Sequence, residues 1–113
     1  MRHQRHEFTP TAFYNEFSAT TPPALRVEPG DTIRTKTIDA AGTDDEGVTR
    51  GKPGNPQTGP FYVVGAAPGD TLAVHITRLR LNRGWAISTD TLSSLVTTPE
   101  LAARMTFQGQ MVR

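Results

Sequence analysis

Glycine and proline interrupt this sequence every few residues, and that punctuation limits what the chain can fold into. The 113 residues include ten glycines and nine prolines, which disfavour helix interiors and favour turns. The segments between them are rich in Thr, Val, Ile and Leu, which suit a pleated, half-buried surface. We therefore expect a mainly β protein with little room for long helices.

Alternation of apolar and polar residues predicts where the strands lie. The expected strands are near residues 24–27, 31–39, 60–64 and 71–80. The last has the clearest alternation, with Leu72, Val74 and Ile76 on one face and His75 on the other. These strands predict an antiparallel β-sandwich-like or barrel-like unit.

One short helix is expected near the C-terminus, at residues 98–105. Thr98 can cap its start, Pro99 suits the first turn, and Glu100 favours the positive end of the helix dipole. Residues 107–113 resemble the start of a further strand.

The tetrapeptide Pro-Gly-Asp-Thr occurs twice, at residues 29–32 and 68–71. Each copy precedes an alternating segment, so the repeat predicts two related hairpins in one antiparallel sheet system, with a structural role. The alternative is composition alone, since Pro-Gly-Asp is a favourable turn in any chain rich in glycine and proline.

We interpret residues 1–113 as a single β-rich unit. Residues 1–23 are irregular and polar with four aromatic residues, which is typical of an arm that docks onto the rest of the chain. Residues 41–59 contain five glycines, two prolines and a single valine. A loop of this length is usually functional or disordered.

Charge and composition disfavour several classes of function. Twelve Lys and Arg against eleven Asp and Glu give a formal net charge of +1, which leaves no basic surplus for nucleic acid. The absence of cysteine excludes a thiolate nucleophile and Cys-based metal sites.

No segment approaches the roughly eighteen apolar residues of a membrane span, and the first residues lack a signal peptide's apolar core. The expected location is cytoplasmic, with neither membrane nor nucleic acid as a partner.

Two polar clusters are better explained as solvent-exposed segments than as metal sites. His3 and His6 could chelate a metal only if the arm formed a helical turn, so a flexible terminus is favoured. Asp44, Asp45 and Glu46 are contiguous, whereas a calcium loop places its oxygens at alternating positions. A solvated loop is the better interpretation of the acidic cluster.

Three segments occur in a specific order. They are residues 23–32 (Pro-Ala-Leu-Arg-Val-Glu-Pro-Gly-Asp-Thr), residues 37–40 (Thr-Ile-Asp-Ala) and residues 55–72, which include Thr-Gly-Pro-x-Tyr-Val-x-Gly-Ala-x-Pro-Gly-Asp. Asn-Arg-Gly-Trp follows at residues 82–85. This combination resembles the N-terminal part of the acetamidase/formamidase family, and the resemblance extends over residues 8–105.

The resemblance implies an amidohydrolase that cleaves the C–N bond of short aliphatic amides to give a carboxylate and ammonia. Without cysteine, that reaction needs an activated water, a carboxylate or imidazole to move protons, and donors for the oxyanion. This chain offers Asp39 and His75 as candidate catalytic residues. For His75, a half-exposed strand histidine with no catalytic role is the favoured interpretation. It offers Asn15, Thr58 and Gly59 as candidate substrate-binding residues.

The chain departs from the family in two respects. Tyr14 stands where many relatives carry histidine, and the later Gly-Gly-Asn and Asp-x-His-Ala motifs, where metal and catalytic groups are expected, have no counterpart. We therefore expect a divalent metal, zinc or calcium, only in the complete family member, and no metal ligand in this chain. The chain is interpreted as a fragment or truncated form with little activity alone. Its expected partners are a small amide and either a second copy or a missing C-terminal portion.

A noncatalytic β-sandwich module for binding or oligomerisation is the alternative. Short strands that follow Pro-Gly-Asp turns are also typical of cupredoxin-like and carbohydrate-binding domains. The sequence leaves open whether this chain is itself an enzyme and which amide it takes.

Overall fold

The computed structural model describes residues 2–88, 98–104 and 110–112. Its elements are β1 (Arg5–Phe8), β2 (Leu25–Val27), β3 (Thr32–Thr35), β4 (Phe61–Val63), β5 (Ala86–Ser88), α1 (Pro99–Arg104) and β6 (Gln110–Val112). The chain divides into two units, Met1–Asn82 and Arg83–Arg113. The described part of the chain is mainly non-helical, with six short strands and one small helix, which is consistent with the expected mainly β class.

Strand pairing in the first unit is parallel. β1 pairs with β3 and β2 pairs with β4, so each sheet has two strands. The prediction of an antiparallel sandwich-like or barrel-like unit is therefore not supported, and the described strands close no barrel. The ring of Phe8 lies edge-on to that of Phe61, with centroids 5.2 Å apart, and links the two sheets. Val27 is the one described apolar side chain that is buried, at 7% exposure.

The turn at residues 28–31 joins β2 to β3, which do not pair with each other. The Glu28 N–H donates to Asp31 Oδ2 over 3.0 Å, and the Asp31 N–H donates to the Glu28 carbonyl over 3.0 Å. The turn therefore satisfies its own polar groups, and its flanking strands pair elsewhere. The second copy is built alike, with Ala67 N–H to Asp70 Oδ2 at 2.9 Å and Asp70 N–H to the Ala67 carbonyl at 3.0 Å. The repeat marks two related turns, and the prediction of two hairpins is wrong.

Residues 1–23 contribute β1, which the alternation did not predict. The Gln4 N–H donates to Asp31 Oδ1 over 2.8 Å, and His6 Nε2 lies 2.9 Å from Asp31 Oδ2. The Asp31 side chain is 3% exposed. The hydrogen bonds from Gln4, His6 and Glu28, in that order of weight, lower the pKa of Asp31 to about 2. Asp31 thus holds the N-terminal segment on the start of β3.

The segment after the second turn differs from the prediction. Residues 71–80 form no strand, and their backbone makes no hydrogen bond to another described residue. All ten side chains are exposed. The strand predicted at 71–80 is therefore wrong for this structure, because alternation indicates which side chains could face a partner without supplying one. The strands predicted near 24–27, 31–39 and 60–64 are confirmed in shortened form as β2, β3 and β4.

The described residues of the second unit form one helix and one antiparallel strand pair. β5 pairs with β6, from Ala86 opposite Val112 to Ser88 opposite Gln110. The Leu101 N–H donates to Thr98 Oγ1 over 3.2 Å, so Thr98 caps the helix as expected. The helix prediction is confirmed over Pro99–Arg104, and residue 105 lies outside the described part of the chain. Of the predicted strand at 107–113, residues 110–112 are described, as β6.

Candidate substrate pocket

A cavity of about 410 Å³ lies between the N-terminal segment and the end of the long loop. Two stretches of chain line it, one at residues 14–21 and one at residues 57–60. The lining residues are Tyr14, Glu16, Phe17, Ser18, Ala19, Thr21, Gln57, Thr58, Gly59 and Pro60. Its volume falls within the range of about 300–1,000 Å³ that is usual for small-molecule sites.

A pair of backbone hydrogen bonds joins the two stretches. The Tyr14 N–H donates to the Gln57 carbonyl over 3.2 Å, and the Gln57 N–H donates to the Tyr14 carbonyl over 2.8 Å. The bridge brings the two stretches together. Glu16, two residues after Tyr14, and Thr58, directly after Gln57, consequently line one cavity. This bridge was not predictable from the sequence, because Tyr14 and Gln57 lie in segments without a strand pattern.

Asn15 holds the long loop and does not line the cavity. Its side-chain amide Nδ2 lies 3.4 Å from the Lys52 carbonyl and 3.2 Å from the carbonyls of both Pro53 and Gly54. The amide therefore donates to backbone acceptors of the loop. Of the three predicted substrate-binding residues, Asn15 supports the site from outside, while Thr58 and Gly59 line it.

Thr58 carries an unusual buried hydroxyl. Its Oγ1 is fully covered and has no hydrogen-bond partner among the described residues, and no other buried side-chain nitrogen or oxygen described here shares that condition. Leaving such a group unpaired costs about 1–3 kcal/mol. A threonine hydroxyl can donate one hydrogen bond and accept two. Thr58 is thus a residue of the cavity lining whose buried hydroxyl has unused capacity in both roles.

Gly59 gives the wall of the cavity its shape. It is buried and has a φ of 125°, a conformation that L side chains rarely adopt. A Cβ at this position would also lie 3.3 Å from the Phe61 backbone nitrogen. Glycine is therefore required for the chain to turn between Thr58 and β4.

The two predicted catalytic residues do not line the cavity. Asp39 Oδ1 accepts the N–H groups of Ala41 over 3.0 Å and of Thr43 over 2.8 Å, so this carboxylate closes the start of the long loop. His75 lies in the exposed segment at residues 71–80. The structure does not bring Asp39 and His75 to Thr58. The carboxylate that does line the cavity is Glu16, for which the sequence offered no signal beyond its place beside Asn15.

The described residues do not supply a ligand set for the divalent metal that the resemblance implies. They include no group of three His, Asp or Glu side chains that could hold one. In the acidic cluster, Arg50 Nε donates to Asp44 Oδ2 over 2.8 Å and Lys36 Nζ donates to Asp45 Oδ2 over 2.8 Å. These cations lower the pKa of Asp44 and of Asp45. We assign no chemical step to a metal.

Comparison with known proteins yields no match to a family model, to a curated protein or to a solved structure. No helix in the described part of the chain is long and apolar enough to cross a membrane.

Proposed function

We propose that this chain binds short-chain primary amides as part of an acetamidase/formamidase-like protein that hydrolyses them to a carboxylate and ammonia. The observation that carries the proposal is Thr58 Oγ1, a buried hydroxyl without a partner among the described residues, in a residue that lines a cavity of small-molecule size. Thr58 also begins the segment in which the family resemblance is most specific.

A primary amide can both donate and accept hydrogen bonds, so it can pair with the polar groups of the lining residues. Its carbonyl oxygen can accept the Thr58 hydroxyl proton, and its N–H groups can donate to Thr58 Oγ1 or to the Glu16 carboxylate. Phe17 and Pro60 add apolar lining for a short alkyl group. The same carboxylate disfavours anions, so an amide is favoured over the carboxylate that its hydrolysis produces.

We infer that the described residues bind the amide and do not by themselves hydrolyse it. Asp39 and His75 are not among the lining residues, which include one carboxylate, Glu16, and no histidine. We therefore expect this chain to bind an amide and to turn it over slowly or not at all.

Titration of the isotope-labelled chain with acetamide, followed by NMR, tests the proposal. Acetamide has four non-hydrogen atoms, and the best tiny ligands gain about 1.5 kcal/mol per atom, so the dissociation constant cannot fall below roughly 40 µM. We expect millimolar binding with shifts confined to residues 14–21 and 57–60. Acetate, which has the same size and a negative charge, should bind more weakly.

Three variants provide the controls. Thr58→Val should weaken acetamide binding by about 2- to 13-fold, the equivalent of one neutral hydrogen bond, whereas Thr58→Ser should retain it. Thr21→Val removes a different hydroxyl from the lining and should have little effect. Shifts scattered over the whole chain, or equal binding by Thr58→Val and the parent, would contradict the proposal.

A further inference from the structure

The second Pro-Gly-Asp turn reproduces the first but lacks what the first one holds. In the first turn, Asp31 Oδ2 closes the turn and Oδ1 accepts the Gln4 N–H of the segment that pairs with β3. In the second turn, Asp70 Oδ2 closes the turn, and Oδ1 has no donor among the described residues. The chain that follows Asp70 likewise has no pairing partner within the described residues.

The side chains that follow the second turn are those of a half-buried strand, yet they are exposed. Leu72, Val74 and Ile76 are 62%, 75% and 71% exposed. Their spacing of two residues places all three on one face of a strand. Apolar side chains that would share one face of a strand and are exposed favour an interaction site, and a segment whose backbone has no partner among the described residues can pair with another strand.

We propose that residues 70–78 form a strand that pairs in antiparallel orientation with the same residues of a second copy of this chain, centred on Val74. This inference is independent of the amide-binding proposal. The pairing would supply backbone partners to both segments and cover the apolar face of each.

Charge complementarity sets the register. With Val74 opposite its own symmetry mate, Leu72 lies opposite Ile76, and Asp70 lies opposite Arg78 at both ends of the pair. The leftover oxygen of Asp70 would then accept from the Arg78 guanidinium, as Asp31 accepts from Gln4 in the first turn. Arg78 has no partner of its own among the described residues, so the pairing breaks no existing contact.

Two registers centred further along the strand pair their side chains less favourably. Centring the pair on Ile76 would place Leu72 opposite Arg80 and Val74 opposite Arg78, and centring it on His75 would place Leu72 opposite Arg78. Each alternative sets an aliphatic side chain against a guanidinium. The sequence is thus self-complementary around Val74. Nine paired residues span about 30 Å, a smaller contact than a standard interface of about 1,600 Å², so we expect a dimer with micromolar affinity.

Disulfide trapping tests both the pairing and its register, because the natural chain contains no cysteine. Val74→Cys places two thiols directly opposite each other, within the Cα separation of about 4.4–6.8 Å that a disulfide needs. Ile76→Cys is the matched control, since the two thiols would be offset by about 13 Å along the strands. We expect Val74→Cys to form a covalent dimer at least tenfold faster than Ile76→Cys under mild oxidation. A mixture of Leu72→Cys and Ile76→Cys chains should form mainly the mixed dimer.

Sedimentation of the cysteine-free chain supplies an independent measurement. The parent should shift from monomer to dimer mass as its concentration rises through the micromolar range, and Val74→Lys should remain monomeric with unchanged secondary structure. Equal cross-linking rates at positions 74 and 76 would overturn the register. A parent chain of monomer mass at every concentration would overturn the pairing itself.

Discussion

Replacing Thr58 with valine should make the unliganded protein more stable. Valine matches threonine in shape but lacks the hydroxyl, and Thr58 Oγ1 is buried without a partner among the described residues. An unpaired buried hydroxyl costs about 1–3 kcal/mol, so removing it should raise the free energy of unfolding by that amount. A change of 1 kcal/mol moves the melting temperature of a domain of this size by about 4–8 °C.

The sign of this change separates a binding role for Thr58 from a structural one. Urea unfolding of the parent, Thr58→Val and Thr58→Ser, monitored by circular dichroism, gives the three free energies. We expect Thr58→Val to be the most stable and yet the weakest in acetamide binding, with Thr58→Ser close to the parent in both. If Thr58→Val unfolds more readily than the parent, the hydroxyl is already paired in the free protein and the reasoning is refuted.

Three further predictions concern the N-terminal segment and catalysis. Gly30→Ala should destabilise the chain more than Gly69→Ala in thermal unfolding. Both glycines have a positive φ, of 90° and 93°, but only at Gly30 would a Cβ meet the His3 ring, whereas the space at Gly69 is open. Because the pKa of Asp31 is lowered from 3.8 to about 2, its stabilising contribution is complete above pH 3.8 and is lost as the pH falls through about 2. Hydrogen exchange at the Gln4 N–H should report that loss, and a profile without change between pH 4 and pH 2 would argue against the contact. Finally, an ammonia-release assay on the isolated chain should show little or no turnover of formamide or acetamide, and turnover at the rate of an ordinary enzyme would be inconsistent with assigning recognition alone to this chain.

Features set by neighbouring residues were predictable from the sequence. Both Pro-Gly-Asp turns form as expected, because the aspartate carboxylate and the backbone of the turn lie three residues apart. The helix begins at Pro99 behind its Thr98 cap for the same local reason. The order of the short strands around the first turn also follows from the pattern of alternation.

Features that depend on distant partners were not predictable in the same way. The pairing of β1 with β3 depends on hydrogen bonds from Gln4 and His6 to Asp31, which lie 25 to 27 residues apart in the chain. Alternation predicts the face of a strand and not its neighbour. It could not indicate parallel pairing, nor that residues 71–80 have no backbone partner among the described residues. Thr58 and Gly59 were identified by resemblance, but their meeting with residues 14–21 depends on the bridge between Tyr14 and Gln57.

Measurement of intermolecular nuclear Overhauser effects between acetamide and the labelled chain tests the central claim most directly. If the amide occupies the cavity, its methyl protons should show cross-peaks to the Thr58 methyl group and to the Phe17 ring, and Thr58→Val should weaken the complex without moving the ligand elsewhere. Cross-peaks only to residues outside 14–21 and 57–60, or none at acetamide concentrations that saturate the shifts, would contradict the account.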